Sequence, residues 1–209
     1  IFQRRNTASP DYVRKFIFNM KKFFKLILYT IIVISIGWVS LTIIAERTGP
    51  ERSWTYGDRH SATKVIVVYD PDPFFNLDER VCRSFGQALG EKGMLANVLS
   101  VAAAREIQLS PFDVYVFCAN TYNWGPDLAV TNFIKEQKTL NNKPVIAIIL
   151  GAGATSLSGE RLEQLIVDHN GKIIDSRAVW LMRPNDESRL NESNVQVAVS
   201  KVRLWALSI

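Results

Sequence analysis

The feature that most constrains this chain is a long apolar run near its N-terminus. Residues 26–45, LILYTIIVISIGWVSLTIIA, are twenty consecutive positions without a charged side chain. As a helix that rises about 1.5 Å per residue, the run would be about 30 Å long, which is the thickness of the hydrocarbon core of a bilayer. A buried core helix is the alternative. Because the run is uncharged and mostly aliphatic throughout, we predict a transmembrane helix over residues 26–45.

The residues on either side of this run predict whether it is cleaved and how it is oriented in the membrane. A cleaved signal peptide usually has a shorter apolar core and a small-residue cleavage site, which the following IIAERTGPE lacks. We therefore interpret the run as an uncleaved, single-pass anchor. Basic side chains precede the run, whereas basic and acidic groups balance after it. The positive-inside rule then predicts an inner (cytoplasmic) membrane location, with the N-terminus in the cytoplasm and the main domain on the outer, periplasmic side.

The distribution of charge limits the class of partner. The chain has a net charge of +5, and its first 25 residues contain seven basic groups and one acidic group, which gives +6. The rest of the chain therefore carries −1, so no nucleic-acid partner is expected. Residues 1–25 also place apolar groups at helical spacing between the basic ones. We predict that this segment is a basic amphipathic helix on the inner membrane surface, with the lipid bilayer as its partner.

The cysteines and histidines exclude a zinc site. Cys82 and Cys118 have no CxxC neighbour, and His60 and His169 are the only histidines in the sequence. We expect two buried cysteines that behave as small hydrophobic residues, and no metal site. A disulfide between them would need close approach, and the sequence leaves that question open.

Residues 46–63 are polar and contain Gly and Pro, which predicts a linker, and residues 64–209 then alternate between strand and helix patterns. Short connections between such elements indicate an α/β domain with a parallel sheet and helices on both faces. Ligands in such sheets bind at the carboxyl ends of the strands, here in the loops at 70–76, 119–126 and 151–158. The predicted strands cover residues 64–69, 94–101, 113–119, 144–150 and 172–182, and the predicted helices cover residues 76–92, 126–141, 158–169 and 190–207.

Three of these stretches resemble flavodoxins and the related flavodoxin-like reductases. They are KVIVVYD, FDVYVFCANTYNWGPD and KPVIAIILGAGATS, and the resemblance extends over about residues 64–206. It implies a five-stranded parallel flavodoxin-like sheet in the order 2-1-3-4-5, with a flavin mononucleotide (FMN) site at the carboxyl ends of its strands. One implied loop covers a face of the flavin ring, and another meets the ring edge through backbone groups. If FMN binds, the implied contact residues are Thr121, Tyr122, Asn123, Trp124, Gly125, Gly151, Ala152 and Gly153.

The same loops have a purely structural interpretation. TYNWGP can be a turn before a helix whose Tyr122 and Trp124 pack on neighbouring residues, with Pro126 in the first helical turn. GAGATS can be an ordinary strand-to-helix turn in which a serine caps the following helix. Both interpretations remain open from the sequence.

The loop after the first strand of the domain departs from the family pattern. Flavodoxins place Ser, Thr, Gly and Asn there, whereas this chain has DPDPFFNLDE. Pro71 and Pro73 have no N–H to donate to a phosphate, and Asn76 with Glu79 has the spacing of a capping box. Added negative charge would repel a dianion. We therefore predict that this loop closes on itself and rejects the phosphate of FMN.

These observations lead to two main hypotheses of function. The first is a structural or interaction subunit of a membrane protein assembly, with no bound cofactor and no catalytic residues. The second is a membrane-tethered FMN electron carrier or FMN-dependent oxidoreductase. A thiol-dependent enzyme that uses Cys118 is a third possibility, with no histidine near it in sequence.

Overall fold

The computed structural model describes residues 10–209, with side chains described for residue 14 and from residue 18 onward. The prediction for residues 1–9, the start of the basic amphipathic segment, lies outside the described residues. The chain divides into two compact units between Ile43 and Ile44. Each unit is described by itself.

The described part of the N-terminal unit is helical and forms most of α1 (Pro10–Ala45). Its part from Phe18 to Ala45 is long and apolar enough to cross a membrane. Large apolar side chains along it, such as Ile32 and Trp38, are exposed, so this helix is not the core helix of a packed domain. Residues 10–25 continue into the apolar run without a break.

The second unit, residues 44–209, is built around one sheet. Its parallel strands lie in the order β3-β2-β4-β6-β7, which is 2-1-3-4-5 when the five parallel strands are numbered alone, so the predicted topology is confirmed. A short strand, β1, adds antiparallel to the β3 edge, and β5 pairs with the end of β4. The strands are β1 (Ser53–Tyr56), β2 (Lys64–Tyr69), β3 (Leu95–Ser100), β4 (Val114–Tyr122), β5 (Gly125–Pro126), β6 (Pro144–Gly151) and β7 (Lys172–Trp180).

Helices cover both faces of this sheet and divide the core into two layers. Helices α2 and α6 pack on one face, where Phe85 and Trp205 meet edge to face at 5.2 Å between ring centroids. Helices α3, α4 and α5 pack on the other face over Phe117 and Phe133. The helices are α2 (Leu77–Glu91), α3 (Val101–Ala104), α4 (Leu128–Glu136), α5 (Ser156–Asp168) and α6 (Asn194–Ser208), and a 3-10 turn covers Glu187–Arg189.

Two local predictions are wrong. The predicted linker contains β1, because Trp54 and Tyr56 alternate with exposed residues and pack against the core layer under α2. Pro126 lies in β5 and not in a first helical turn, because Asp127 caps α4, which begins one residue later. A four-residue strand and a two-residue strand are too short to show periodicity in a sequence.

Candidate functional site

The candidate site lies where β2, β4, β6 and β7 end. We call this region, formed by residues 70–76, 119–127, 151–155 and 181–185, the C-terminal edge of the sheet. A cavity of about 220 Å³ opens there between the loops after β2, β6 and β7. Its apolar lining residues are Phe74, Phe75, Leu77, Leu150, Leu181 and Met182.

Half of the predicted flavin-contacting residues line this cavity. They are Thr121 and Tyr122 at the end of β4, and Gly151 and Ala152 at the end of β6. A Cβ atom on Gly151 would lie 2.7 Å from Thr155 Cγ2, so glycine allows this close packing. The carbonyl oxygens of Gly151 and Ala152 accept hydrogen bonds from residues 181–183, which fixes this loop against the end of β7.

The other predicted contact residues do not line the cavity. Tyr122 and Gly125 pair in a two-residue hairpin, with Asn123 and Trp124 at its turn. Both turn residues have left-handed backbone, with φ of 48° and 60°, and the Trp124 side chain is 62% exposed. Gly153 lies near Arg183, on the next loop. The predicted contact residues at the ends of β4 and β6 therefore lie together, whereas the indole ring of Trp124 at the hairpin turn projects into the solvent.

The loop after β2 is hydrogen-bonded to its own carboxylates. Asp72 Oδ1 accepts from the amides of Phe74 and Phe75, at 2.6 and 2.7 Å. Asp78 Oδ2 accepts from the amide of Asp72 at 2.6 Å, and Asp78 Oδ1 accepts from the amide of Glu79 at 2.7 Å. Four backbone donors of this corner are thus satisfied inside the protein.

Side chains from the neighbouring strand complete this arrangement. Tyr122 donates its hydroxyl proton to Asp72 Oδ2 at 2.5 Å. Asn120 Nδ2 lies 3.3 Å from both the Asp70 carbonyl oxygen and Asp78 Oδ2. Asp127 accepts from the amides of Asn120 and Val130, each at 2.8 Å, so one carboxylate joins the end of β4 to the start of α4.

Asn120 and Asp127 are not among the residues that the sequence predicts for the site. Asp127 carried a signal, because an Asp directly before a helical apolar pattern is a typical N-cap. Asn120 carried none, since its partners lie 42 and 50 positions away.

The predicted capping box is wrong. Asn76 is the N-cap of α2, but its side chain makes no capping hydrogen bond. The Glu79 carboxylate is buried and turns away from the helix start, toward an ion pair with Arg52. It also contacts Arg83 Nη1 at 3.3 Å. Burial of a carboxylate costs hydration, and the two cationic partners offset part of that cost at Glu79.

Burial sets the protonation behaviour of this edge. Desolvation raises the pKa of Asp70 to about 6, against the lowering effect of a hydrogen bond from the Gly49 amide. Desolvation likewise raises the pKa of Asp78 to about 6. Burial also raises the pKa of Asp127 and of Tyr122, and the hydrogen bond to Asp72 adds to the effect at Tyr122. This edge therefore resists additional negative charge.

The chain enters the α/β unit at the same edge. The carboxylate of Glu46 accepts a hydrogen bond of 2.7 Å from the amide of Leu128, at the start of α4. The amide of Gly49 donates to Asp70 Oδ1 at 2.9 Å, and a Cβ on Gly49 would lie only 2.8 Å from Pro71 Cδ. The first residues of this unit are thus packed against the loops of the C-terminal edge.

Among residues 10–209, no cysteine thiol is accessible and no cluster of metal-ligating side chains occurs. Cys82 and Cys118 are both buried, as predicted, and neither forms a disulfide; burial raises the pKa of each thiol. A reactive cysteine needs an accessible thiolate, which neither position offers. Within that described range, no group of three His, Cys, Asp or Glu side chains could hold a metal ion.

Comparisons with known proteins identify the fold. No protein-family model matches the chain, and no curated protein is similar to it in sequence. Oxidised flavodoxin 2 from Bacillus cereus aligns with a TM-score of 0.55 and 14% identity, over 70% of this chain and 97% of that one. A cysteine-to-alanine mutant of flavodoxin from Pseudomonas aeruginosa aligns with a TM-score of 0.52 and 16% identity, over 70% of this chain and 100% of that one.

A larger enzyme contains a similar domain. Rubredoxin oxygen:oxidoreductase from Desulfovibrio gigas aligns with a TM-score of 0.51 and 16% identity, over 70% of this chain and 37% of that one. The chain thus spans little more than a third of that protein. At such low identities the likeness concerns the fold alone, and it agrees with the strand order and the helix layers described above. Residues 44–209 therefore have the flavodoxin-like fold.

Proposed function

We propose that this protein is a membrane-anchored, flavodoxin-like interaction subunit of a membrane protein assembly that works without bound flavin. One observation carries the proposal: the amides of Asp72, Phe74, Phe75 and Glu79 already donate to the carboxylates of Asp72 and Asp78. A flavin phosphate at this corner needs such donors. Here it would meet two carboxylates in the position where it should find N–H groups.

Electrostatic repulsion of a phosphate adds to the unfavourable effect of the missing hydrogen-bond donors. Two unit negative charges about 4 Å apart repel by about 1 kcal/mol in water and by about 4 kcal/mol at an effective dielectric constant near 20. Pro71 and Pro73 supply no further N–H groups to offset this cost. The residues of this loop therefore do not fit a phosphate dianion.

An FMN titration tests the absence of flavin. The full chain is purified in mild detergent, and the fluorescence of added FMN is followed at micromolar concentrations. We expect no binding to the natural chain. The double variant Asp72→Ser/Asp78→Ser frees the loop amides and should gain measurable binding, whereas Asp113→Ser, at the opposite edge of the sheet, should not. Yellow protein that releases a flavin on denaturation would overturn the proposal.

The membrane anchor is the second part of the proposal. The apolar length of α1 and the cluster of basic residues before its apolar run support a single pass with the N-terminus in the cytoplasm. We expect the protein to remain in the membrane pellet after alkaline carbonate extraction. In sealed, right-side-out vesicles, added protease should digest the α/β unit and spare the N-terminal segment. Protection of the α/β unit would reverse the orientation.

A membrane-tethered FMN electron carrier is the second candidate. The observation that favours it is the cavity, because Thr121, Tyr122, Gly151 and Ala152 line it as the resemblance to flavodoxins implies. A bound flavin would supply the redox chemistry, and these residues would hold its ring. The FMN titration separates the two candidates directly.

Partner subunits of the proposed assembly can be identified by co-purification. The full chain is extracted in mild detergent and isolated through a C-terminal tag, and the associated proteins are identified by mass spectrometry. We expect integral membrane proteins in fixed ratio to the chain. Isolation of the chain alone, at several detergent concentrations, would contradict a structural role in an assembly.

A further inference from the structure

Four large apolar side chains project from the C-terminal edge of the sheet. Phe74, Phe75, Trp124 and Met182 are 52%, 51%, 62% and 72% exposed, and we call them the apolar rim. Phe74, Phe75 and Met182 also line the cavity, and Trp124 lies at the hairpin turn that begins at Tyr122, another lining residue. Three loops that are distant in sequence thus present apolar groups at one edge, which is typical of a docking surface.

Trp124 is held in this exposed position at a conformational cost. Its φ of 60° lies in the left-handed region, where a bulky side chain crowds the following carbonyl group. A two-residue hairpin turn with positive φ at both positions favours Asn-Gly, and this chain has Asn123 followed by a tryptophan. A strained backbone that displays an indole ring to solvent points to a role for the ring outside the folded domain.

The first residues of the α/β unit lie at the same edge as the apolar rim. Glu46 and Gly49 are hydrogen-bonded to the C-terminal edge, through Leu128 and Asp70. Glu46 follows directly after the apolar run that we propose to cross the membrane. The chain therefore leaves the proposed anchor directly before residues that are bonded to the edge that carries the rim, so a bilayer is within reach of this edge.

The charges beside the rim suit a phospholipid surface. Arg80, in the first turn of α2, and Arg183, next to Met182, are both exposed. The carboxylate of Asp72 is engaged by the Tyr122 hydroxyl and by two backbone amides. Guanidinium groups attract lipid phosphates, while Trp and Phe side chains partition into the interfacial region of a bilayer.

We propose that the apolar rim is a membrane-docking surface, whose side chains insert between the headgroups of the bilayer that holds the anchor. The inference rests on the anchor of the proposed function and is independent of the absence of flavin. Amphipathic surfaces that bind a bilayer in this way insert their apolar groups by about 5–10 Å.

Spin labels on the full chain in lipid vesicles test this docking. Single cysteines replace Phe75, Trp124 or Met182 on the rim, and Lys92 or Lys138 at the opposite edge, as matched exposed controls. The vesicles contain phosphatidylcholine and phosphatidylglycerol, and the measurement is the ratio of accessibility to oxygen and to a water-soluble nickel chelate. We expect this ratio to be severalfold higher at the rim positions, because oxygen concentrates in the bilayer and the nickel chelate is excluded from it.

Each outcome of this experiment decides the proposal. The unmodified chain supplies the background, since Cys82 and Cys118 are buried. Equal ratios at both edges, in protein that stays in the membrane after carbonate extraction, would overturn the docking and leave the anchor intact. Rim labels protected from both reagents would indicate a covering protein chain and would also overturn it. Release of the protein by carbonate would overturn the anchor and the docking together.

Discussion

At the scale of single residues, buried carboxyl groups make the stability of the α/β unit depend on pH. Asp78 is 1% exposed and its pKa is raised to about 6, whereas an unfolded Asp titrates near 4. Between these two values the folded state binds more protons than the unfolded state. The free energy of unfolding therefore falls as the pH rises through this window.

We predict that Asp78→Asn removes the part of this dependence that Asp78 contributes, while Asp70 and Asp127, whose pKa values are also raised, keep theirs. One unit of pKa shift corresponds to about 1.4 kcal/mol, so the stability of the natural chain relative to the variant should fall by about 2–3 kcal/mol between pH 4 and pH 7. Urea denaturation of the full chain in detergent, followed by circular dichroism, measures the difference. Asp113→Asn, at the opposite edge, is the control. Parallel pH profiles for the natural chain and Asp78→Asn would contradict the prediction.

Trp124 provides a second test at this scale. Replacement by glycine should raise the free energy of unfolding by about 1 kcal/mol, because the left-handed backbone no longer conflicts with a side chain. The same Trp124→Gly variant should lose membrane contact at the hairpin, so stability and docking change in opposite directions. Asn123→Gly should gain less, since Asn tolerates positive φ. Denaturation midpoints in detergent check both, and a destabilised Trp124→Gly would show that the ring packs on the domain.

The chemistry of this edge was only partly predictable from residue types. Two prolines and several acids in one loop correctly suggested that it closes on itself, because proline lacks a donor and carboxylates seek donors. The pairing was not predictable: Glu79 lies three residues from Asn76 but binds Arg52, which is 27 positions away. Local spacing describes neighbours along a helix, whereas a buried carboxylate takes its partner from whichever segment the fold brings close.

At the scale of elements, the packing of α2 depends on glycine. A Cβ on Gly86 would lie 2.4 Å from Val98 Cγ2, while one on Gly159 in α5 would meet Ile149 Cγ1 at an ordinary 3.5 Å. Glycine inside a helix costs about 0.5–1 kcal/mol relative to alanine. Alanine substitutions at these two positions therefore separate the effect of helix propensity on stability from the effect of packing.

We predict opposite effects of alanine at these two positions. Gly159→Ala should stabilise the α/β unit by about 0.5–1 kcal/mol, through lower backbone entropy in the unfolded chain. Gly86→Ala should destabilise it by about 1–3 kcal/mol, because the new methyl group overpacks the interface between α2 and β3. Chemical denaturation measures both changes. A gain in stability for Gly86→Ala would mean that Val98 can move aside without cost.

Elements with a long apolar pattern were predictable, and short ones were not. The run at Lys64–Tyr69 and the run at Pro144–Gly151 are apolar enough to be recognised as buried strands. Strand β1 has only four residues. It forms because Trp54 and Tyr56 pack against the core layer under α2, which is present only in the folded domain. The β4–β5 hairpin escaped prediction for the same reason, since Asn-Trp is not a typical hairpin turn sequence.

At the scale of the whole molecule, the folded domain starts earlier in the chain than the sequence pattern predicts. The sequence pattern predicts a domain from residue 64, whereas the compact unit begins at Ile44. The difference matters because β1 covers the edge of β3, and Arg52 pairs with the buried Glu79. Both features would be lost from a fragment that starts at the predicted boundary.

We predict that residues 44–209 form a cooperatively folding fragment, and that residues 64–209 are markedly less stable. Glu79 is buried but the Arg52 side chain is 39% exposed, so losing Arg52 should cost less than the about 3–5 kcal/mol that is typical of a fully buried ion pair, and Arg83, which remains beside Glu79, reduces the loss further. The uncovered edge of β3 would in addition favour aggregation. Urea denaturation and light scattering of the two fragments measure these effects, and Arg52→Ala in the longer fragment separates the ion pair from the strand. Equal midpoints for the two fragments would show that residues 44–63 are a linker, as their composition alone suggests.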